Sequence, residues 1–481
     1  MVAQEKKEGV QLETRPLPDP GRASIRRILG PGLLLAALGV GMGETFMWPR
    51  LVIVFGPDIR WIATVGLLIQ IFVTMEIARW TYYTGESIFQ AGYRLHPAVT
   101  WYFYVLAIMV YVWPGHVVTG SSALALFLGT DWMPIAILSI VSIALVLIIS
   151  PYQVYKTVKT ILLVSISLMM AVSLAVALFA GTPAMWGDAL CGTVSFGWAS
   201  PTMYTKAWLP LIIGAMAFIG PSGMQQMWYT LWAREEGVGM AAYMPKVTGL
   251  IFGKEQKWRD RGFAFDCDLG DEYDKWKRWR KLNILDAWVS LGVMTFITTL
   301  FFTILSMSAA EASPAAMSAI KAGKTLAAID AIATAFTSVS QVLYPLWFIV
   351  MFLVGWKMSF GIFDAFARAQ ADMTLQLLKV SRGLGIRKWY YVWVLTVTLV
   401  GIAATVIGSP KGPVFMLDVL AFLSPLAMGS YCLLLLHVNR KMMPPRLRMS
   451  WASTIALASG AVFYLGSLFY CLFAFGTIPS G

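Results

Sequence analysis

The chain has 481 residues, of which 58% are hydrophobic and only 13% charged, against the roughly 25% charged residues of a soluble domain. That balance excludes an ordinary water-soluble enzyme and predicts an all-α polytopic membrane protein. The formal charge is +12, but the basic residues sit between hydrophobic runs, so the charge sets topology and no nucleic-acid partner is expected.

Residues 1–27 carry Lys6, Lys7, Arg15, Arg22, Arg26 and Arg27 among acids and prolines and read as a cytoplasmic tail. The apolar run that follows is too long, and too clearly continued, to be a cleaved signal. Eleven spans are predicted, at 28–56, 61–83, 99–127, 132–150, 157–181, 208–232, 284–309, 344–370, 389–408, 413–437 and 451–476, each near the roughly 20 residues that cross a bilayer. With the N-terminus in the cytoplasm, 30 of the 37 Lys and Arg fall on the cytoplasmic side and 6 outside, with Lys357 inside the eighth span. This asymmetry predicts N-in and C-out, in a bacterial plasma membrane. The polar stretch 235–281 reads as a solvated gating or docking loop, because its acids Asp266, Asp268, Asp271, Glu272 and Asp274 lack a calcium-loop register. Residues 325–336 read as a short amphipathic helix outside the membrane. Cys191, Cys267, Cys432 and Cys471 show neither a paired framework nor metal-ligand spacing.

Two spans contain interruptions. The first holds Gly39-Val40-Gly41-Met42-Gly43-Glu44 near its middle, and the sixth holds Ile219-Gly220-Pro221-Ser222-Gly223 at a similar depth. Glycine tolerates non-helical dihedrals and proline removes a donor, so both segments are expected to unwind. Unwound backbone survives at membrane depth only when it lines a cavity or is buried in protein. The two spans are five apart, which predicts a first repeat over 28–181, a second and inverted repeat over 208–437 that includes the loop 235–281, and an added helix at 451–476. That is the plan of a secondary transporter with its substrate between the broken helices. Close packing of small residues is the plainer explanation for each break taken singly.

Ionisable residues at depth are costly and mark candidate function. Glu44 combines depth with a break; it either meets the solute or caps the outer half of helix one. Lys357 lies mid-span, where it could neutralise Glu44, attract an anion, carry a proton or snorkel. His116, after Trp113-Pro114-Gly115, is a candidate relay or a packing histidine. Glu76 and Arg79 form a local pair or inner gate, Asp364 and Asp418 are expected to bond to neighbouring helices, and Ser222, Gln225 and Gln226 are neutral groups near the second break.

Gly30-Pro31-Gly32 at the opening of span one, and Ala78-Arg79-Trp80 followed by Thr84-Gly85, resemble the corresponding motifs of the Nramp family of divalent metal transporters. The resemblance covers spans one to ten and implies a LeuT-type fold with a 5+5 inverted repeat. The family's helix-one Asp-Pro-Gly-Asn falls on Gly41, Met42, Gly43 and Glu44, and its helix-six Met-Pro-His on Gly220, Pro221 and Ser222. Only Glu44 keeps a strong oxygen donor, the helix-six thioether is missing, and so are the acids of the family's proton route in helix three. The implied function is secondary-active transport of a small ion. A divalent cation such as magnesium or manganese comes first, held by Glu44 with Gly41, Met42, Gly220, Ser222, Gln225 and Gln226 around it. The alternative is a small anion or zwitterion such as bicarbonate or a carboxylate, drawn by half-helix N-termini and Lys357. No P-loop is present, so coupling to protons or sodium is expected, with no enzymatic activity and no cofactor.

Overall fold

The computed structural model describes residues 12–21, 30–151, 153–250, 253–254, 256–378 and 385–475. Residues 1–11 and 22–27 of the expected tail, 28–29 of the first span, and the end of the eleventh span lie outside them. Ten helices among the described residues are long and apolar enough to cross a membrane. The remaining expected span is helix six, whose two halves, Leu209–Ala217 and Gln225–Glu236, are each too short to cross alone. We call the two ends of the bundle inner and outer by the charge asymmetry of the sequence.

Helix one runs from Gly30–Gly39 through Val40 and Gly41, which leave the helix, into a π-helical turn at Gly43–Met47 and an outer half at Trp48–Phe55. The break is shorter than the glycine pattern implies, because Gly43 and Glu44 have already rejoined a helix. Helix two spans Arg60–Thr84, and helix three is divided by Val112–Pro114 into Pro97–Tyr111 and Gly115–Leu128. Helices four and five span Trp132–Ile149 and Val154–Ala180. Helix seven begins earlier than hydropathy suggests, at Glu272, so the last part of the polar stretch 235–281 is its inner turns; a π segment at Ala287–Val293 leads into Met294–Ala312. Helices eight to eleven span Leu343–Leu377, Gly385–Gly408, Pro413–His437 and Trp451–Phe475. A short helix at Ala327–Val339 precedes helix eight and buries Ile329, Ile332 and Phe336.

Helix one is 94% buried across its apolar window, whereas helices four, five and eleven are 33% buried across theirs. The broken helix is therefore the axis of the bundle, and the helices with continuous apolar runs form its lipid-facing rim. The inner half of helix one packs on the inner half of helix six, and helix eight packs against the second half of helix three and against helix nine. Below the bundle, Glu13–Thr14 pair in parallel with Phe263–Ala264. The tail then runs along helix seven, with Leu17 buried and its N–H donating to Glu272 at 2.5 Å.

Candidate functional site

The two breaks touch. Helix six leaves its helix at Phe218 and resumes at Gln225, and the turn requires Gly220 at φ +82°, a conformation that side chains disfavour. A β-carbon on Gly43 would strike the Phe218 carbonyl, so glycine there is what allows the two interruptions to meet.

Glu44 joins them. Its buried carboxylate accepts the Gly41 N–H at 2.8 Å and, from the other broken helix, the Gly220 N–H at 2.7 Å. One carboxylate thus satisfies donors freed by both interruptions, as expected where positive half-helix ends converge. Lys357 does the opposite at the negative end of the inner half of helix one. Its ammonium donates to the carbonyls of Ala37 and Val40, both at 2.5 Å, and no carboxylate pairs with it among the described residues.

A thioether reaches the break from a helix the sequence did not suggest. Met358, beside Lys357 on helix eight, lays its sulfur against Gly41 and accepts the Met42 N–H at 3.2 Å. The absent side chain at Gly41, a ligand position in the resembled family, is the space that this sulfur fills. Met42 is buried and its Sδ lies 4.0 Å from the Thr45 hydroxyl. His116 follows the helix-three break, is buried, and places its ring 5.5 Å from that of Phe218 in the helix-six break; neither ring nitrogen has a hydrogen-bond partner among the described residues.

The neutral groups separate into two sets. Ser222 and Gln225 face each other, with the Gln225 amide donating to the Ser222 hydroxyl at 3.2 Å, and Tyr111 clamps the turn by donating to the Ser222 carbonyl and accepting the Met224 N–H, each at 2.9 Å. Gln226 turns to helices two and ten, donating to the Gln70 carbonyl and the Thr74 hydroxyl and accepting from Tyr431. Tyr111, Met358, Gln70 and Tyr431 carry no sequence signal beyond being polar or sulfur-bearing residues in apolar spans.

Glu76 and Arg79 lie far from the breaks, at the inner end. Arg79 pairs with Glu76 through two bonds of 2.6 and 2.9 Å, and Glu76 also receives Arg280 of helix seven at 3.2 Å, Asn439 at 3.2 Å and Ser453 at 3.0 Å. Nearby, Arg368 bridges Glu235 at 2.5 Å and Asp364 at 2.9 Å, and Arg234 meets Asp372 at 3.1 Å. Asp364 also accepts from Tyr390 of helix nine at 2.8 Å. Buried charges in matched pairs hold the inner ends of helices two, six, seven and eight together. The outer side differs: a cavity of about 200 Å³ is lined by Met47, Arg50, Trp208, Gly214, Lys321 and Asp418, where Arg50 and Asp418 pair at 3.1 Å.

No protein-family model matches the chain, and no curated protein matches it in sequence. Its structure is similar to that of a manganese transporter from Eremococcus coleocola, with a TM-score of 0.67 and 14% identity over 98% of this chain and 92% of that one. The same transporter bound to an aromatic bis-isothiourea compound gives a TM-score of 0.64 at 13% identity, over 99% of this chain and 93% of that one. The chain is an integral membrane protein of the LeuT-type fold, with helices one and six broken. Within that fold its likeness is to the Nramp-like branch, over nearly the full chain.

Proposed function

We propose that this protein is a secondary transporter that moves a divalent transition-metal cation, manganese-like, across the membrane by alternating access. The observation that carries this reading is Glu44: the carboxylate at the breaks is bonded to both helices whose relative movement would open and close the site. Along the same breaks the thioether of Met358 lies against Gly41, that of Met42 lies 4.0 Å from the Thr45 hydroxyl, and His116, its imidazole unpartnered among the described residues, faces Phe218. The carboxylate suits a hard divalent ion such as manganese or magnesium, and a nitrogen or sulfur donor, which magnesium does not take, would tip the balance to a transition metal.

An arriving ion would draw Glu44 off one or both backbone N–H groups. Each such charge-assisted bond is worth about 1.5–3 kcal/mol, so ion and backbone compete on similar terms and binding stays reversible. Lys357 fills the carbonyl pair of Ala37 and Val40, and loss of its proton would offset part of the incoming charge. The paired charges at the inner end act as the closed gate, and the outer cavity as the approach.

In proteoliposomes, Glu44→Gln should abolish saturable manganese uptake while Lys357→Met leaves it measurable. Wild-type uptake by the glutamine variant overturns the assignment. A second reading has its own support: Arg50, Lys321, Lys324 and Lys411 line the outer cavities, and Asp418 is the sole acid among the described lining residues. Such a vestibule favours a small anion or zwitterion, such as bicarbonate or a carboxylate. That reading requires the reverse sensitivity, with Lys357 essential and no metal bound in calorimetry.

A further inference from the structure

A second polar cluster meets the helix-six break at Gly220, on the face where a β-carbon would stand. That position lies 3.3 Å from the Gln70 side-chain oxygen of helix two and 3.5 Å from the Thr295 hydroxyl of helix seven. Both side chains are fully buried, and neither the Gln70 amide nor the Thr295 hydroxyl has a hydrogen-bond partner of good geometry among the described residues. Helix eleven closes the group: Gly460 packs on Ile69, and one turn further on Tyr464 is buried with its hydroxyl beside the Gln70 side chain, outside good hydrogen-bond geometry. Leu291 forms an apolar wall.

Thr295 is distinctive among its neighbours. Thr298, Thr299 and Thr303 each turn their hydroxyl back onto a carbonyl of their own helix, at 2.5, 2.7 and 2.8 Å. Thr295, just beyond the π segment Ala287–Val293, does not. A π segment re-aims the residues after it and is frequent at functional sites. Buried polar groups are almost always satisfied, and the more so at membrane depth, where water does not compete. Buried groups of helices two and seven left without good hydrogen bonds beside Gly220, with Tyr464 next to one of them, therefore indicate a ligand.

Its charge follows from the neighbouring peptide. The Gly220 N–H is given to Glu44, and a trans peptide turns the Ile219 carbonyl the opposite way, where it accepts no backbone hydrogen bond. The bond from its N–H to the Glu44 carboxyl group polarises that peptide and makes its carbonyl end more attractive to a cation. The side chains bring neutral oxygens and no carboxylate, too little charge for a divalent ion but suited to a hard monovalent one.

We infer that Gln70, Thr295 and Tyr464, beside Gly220 in the helix-six break, bind a monovalent cation of sodium size. Bound there, the ion favours the closed arrangement of the two breaks, which makes it a coupling ion. The coupling role rests on the transport reading above; the binding itself does not.

The test is thermal unfolding of the purified full-length protein in sodium chloride, sodium gluconate and N-methylglucamine chloride at one ionic strength. Both sodium salts should raise the unfolding temperature by about 2–4 °C. Thr295→Val and Gln70→Leu should each lose that rise. In N-methylglucamine Thr295→Val should unfold at or above the wild-type temperature, because it removes a hydroxyl that bonds to nothing, and this confirms that the variant is folded. The inference is overturned if sodium gives wild-type protein no rise, if the rise follows chloride, or if it survives both substitutions. Absence of manganese uptake in every salt, with the sodium rise intact, counts against the transport reading alone.

Discussion

Replacing Glu44 by glutamine isolates the role of the carboxylate in joining the two broken helices. The wild-type side chain accepts from Gly41 at 2.8 Å and from Gly220 at 2.7 Å. A glutamine of the same shape offers one oxygen and one NH2 group, so one backbone N–H keeps an acceptor and the other faces a donor. Two charge-assisted bonds of about 1.5–3 kcal/mol each give way to one neutral bond of about 0.5–1.5 kcal/mol and a stranded N–H costing about 1–3 kcal/mol. Removing a buried charge returns part of this, because its desolvation is no longer required. The net expected loss is about 2–4 kcal/mol, read as a lower unfolding temperature in detergent without any added ion. Glu44→Asp should fall between the two, since the shorter carboxylate keeps its charge but reaches only one of the breaks. A glutamine variant as stable as the wild type would refute the view that this carboxylate holds both interruptions together.

Gly43→Val should separate the breaks, because its β-carbon meets the Phe218 carbonyl; a loss of about 1–3 kcal/mol is expected in thermal unfolding, together with loss of metal binding in calorimetry. Glu76→Ala leaves Arg79 and Arg280 buried and facing one another without their carboxylate, which should cost about 3–5 kcal/mol and, in labelling of a cysteine placed at the inner end of helix two, raise inward accessibility. Lys357→Met strands the carbonyls of Ala37 and Val40; ion-gradient coupling should weaken while passive exchange of the solute persists, measured as counterflow in proteoliposomes. Removing residues 1–21 deletes the strand pairing at Phe263–Ala264 and the buried Leu17, and the same labelling should then show the inner end open more often, with little change in outer accessibility.

The chain alone determined the membrane class and the places where two helices fail. Apolar runs of bilayer length, glycine and proline at matching depths, and single charges such as Glu44 and Lys357 are local properties, readable before folding because each follows from one residue's chemistry or from its neighbours along the chain. The end of helix seven escaped that reading: Glu272–Lys281 are polar, and their helicity comes from packing of Trp276 and Trp279 and from the buried Arg280. Tertiary structure decided everything that depends on which distant residues meet. Only the fold brings Gly220 to Glu44, sets the Met358 sulfur into the space left by Gly41, places Lys357 on carbonyls rather than on a carboxylate, and assembles Gln70, Thr295 and Tyr464 around one turn of backbone. Those contacts join residues that lie far apart in the chain. No local propensity encodes them, because hydrogen-bond partners at membrane depth are fixed by helix packing and not by sequence spacing.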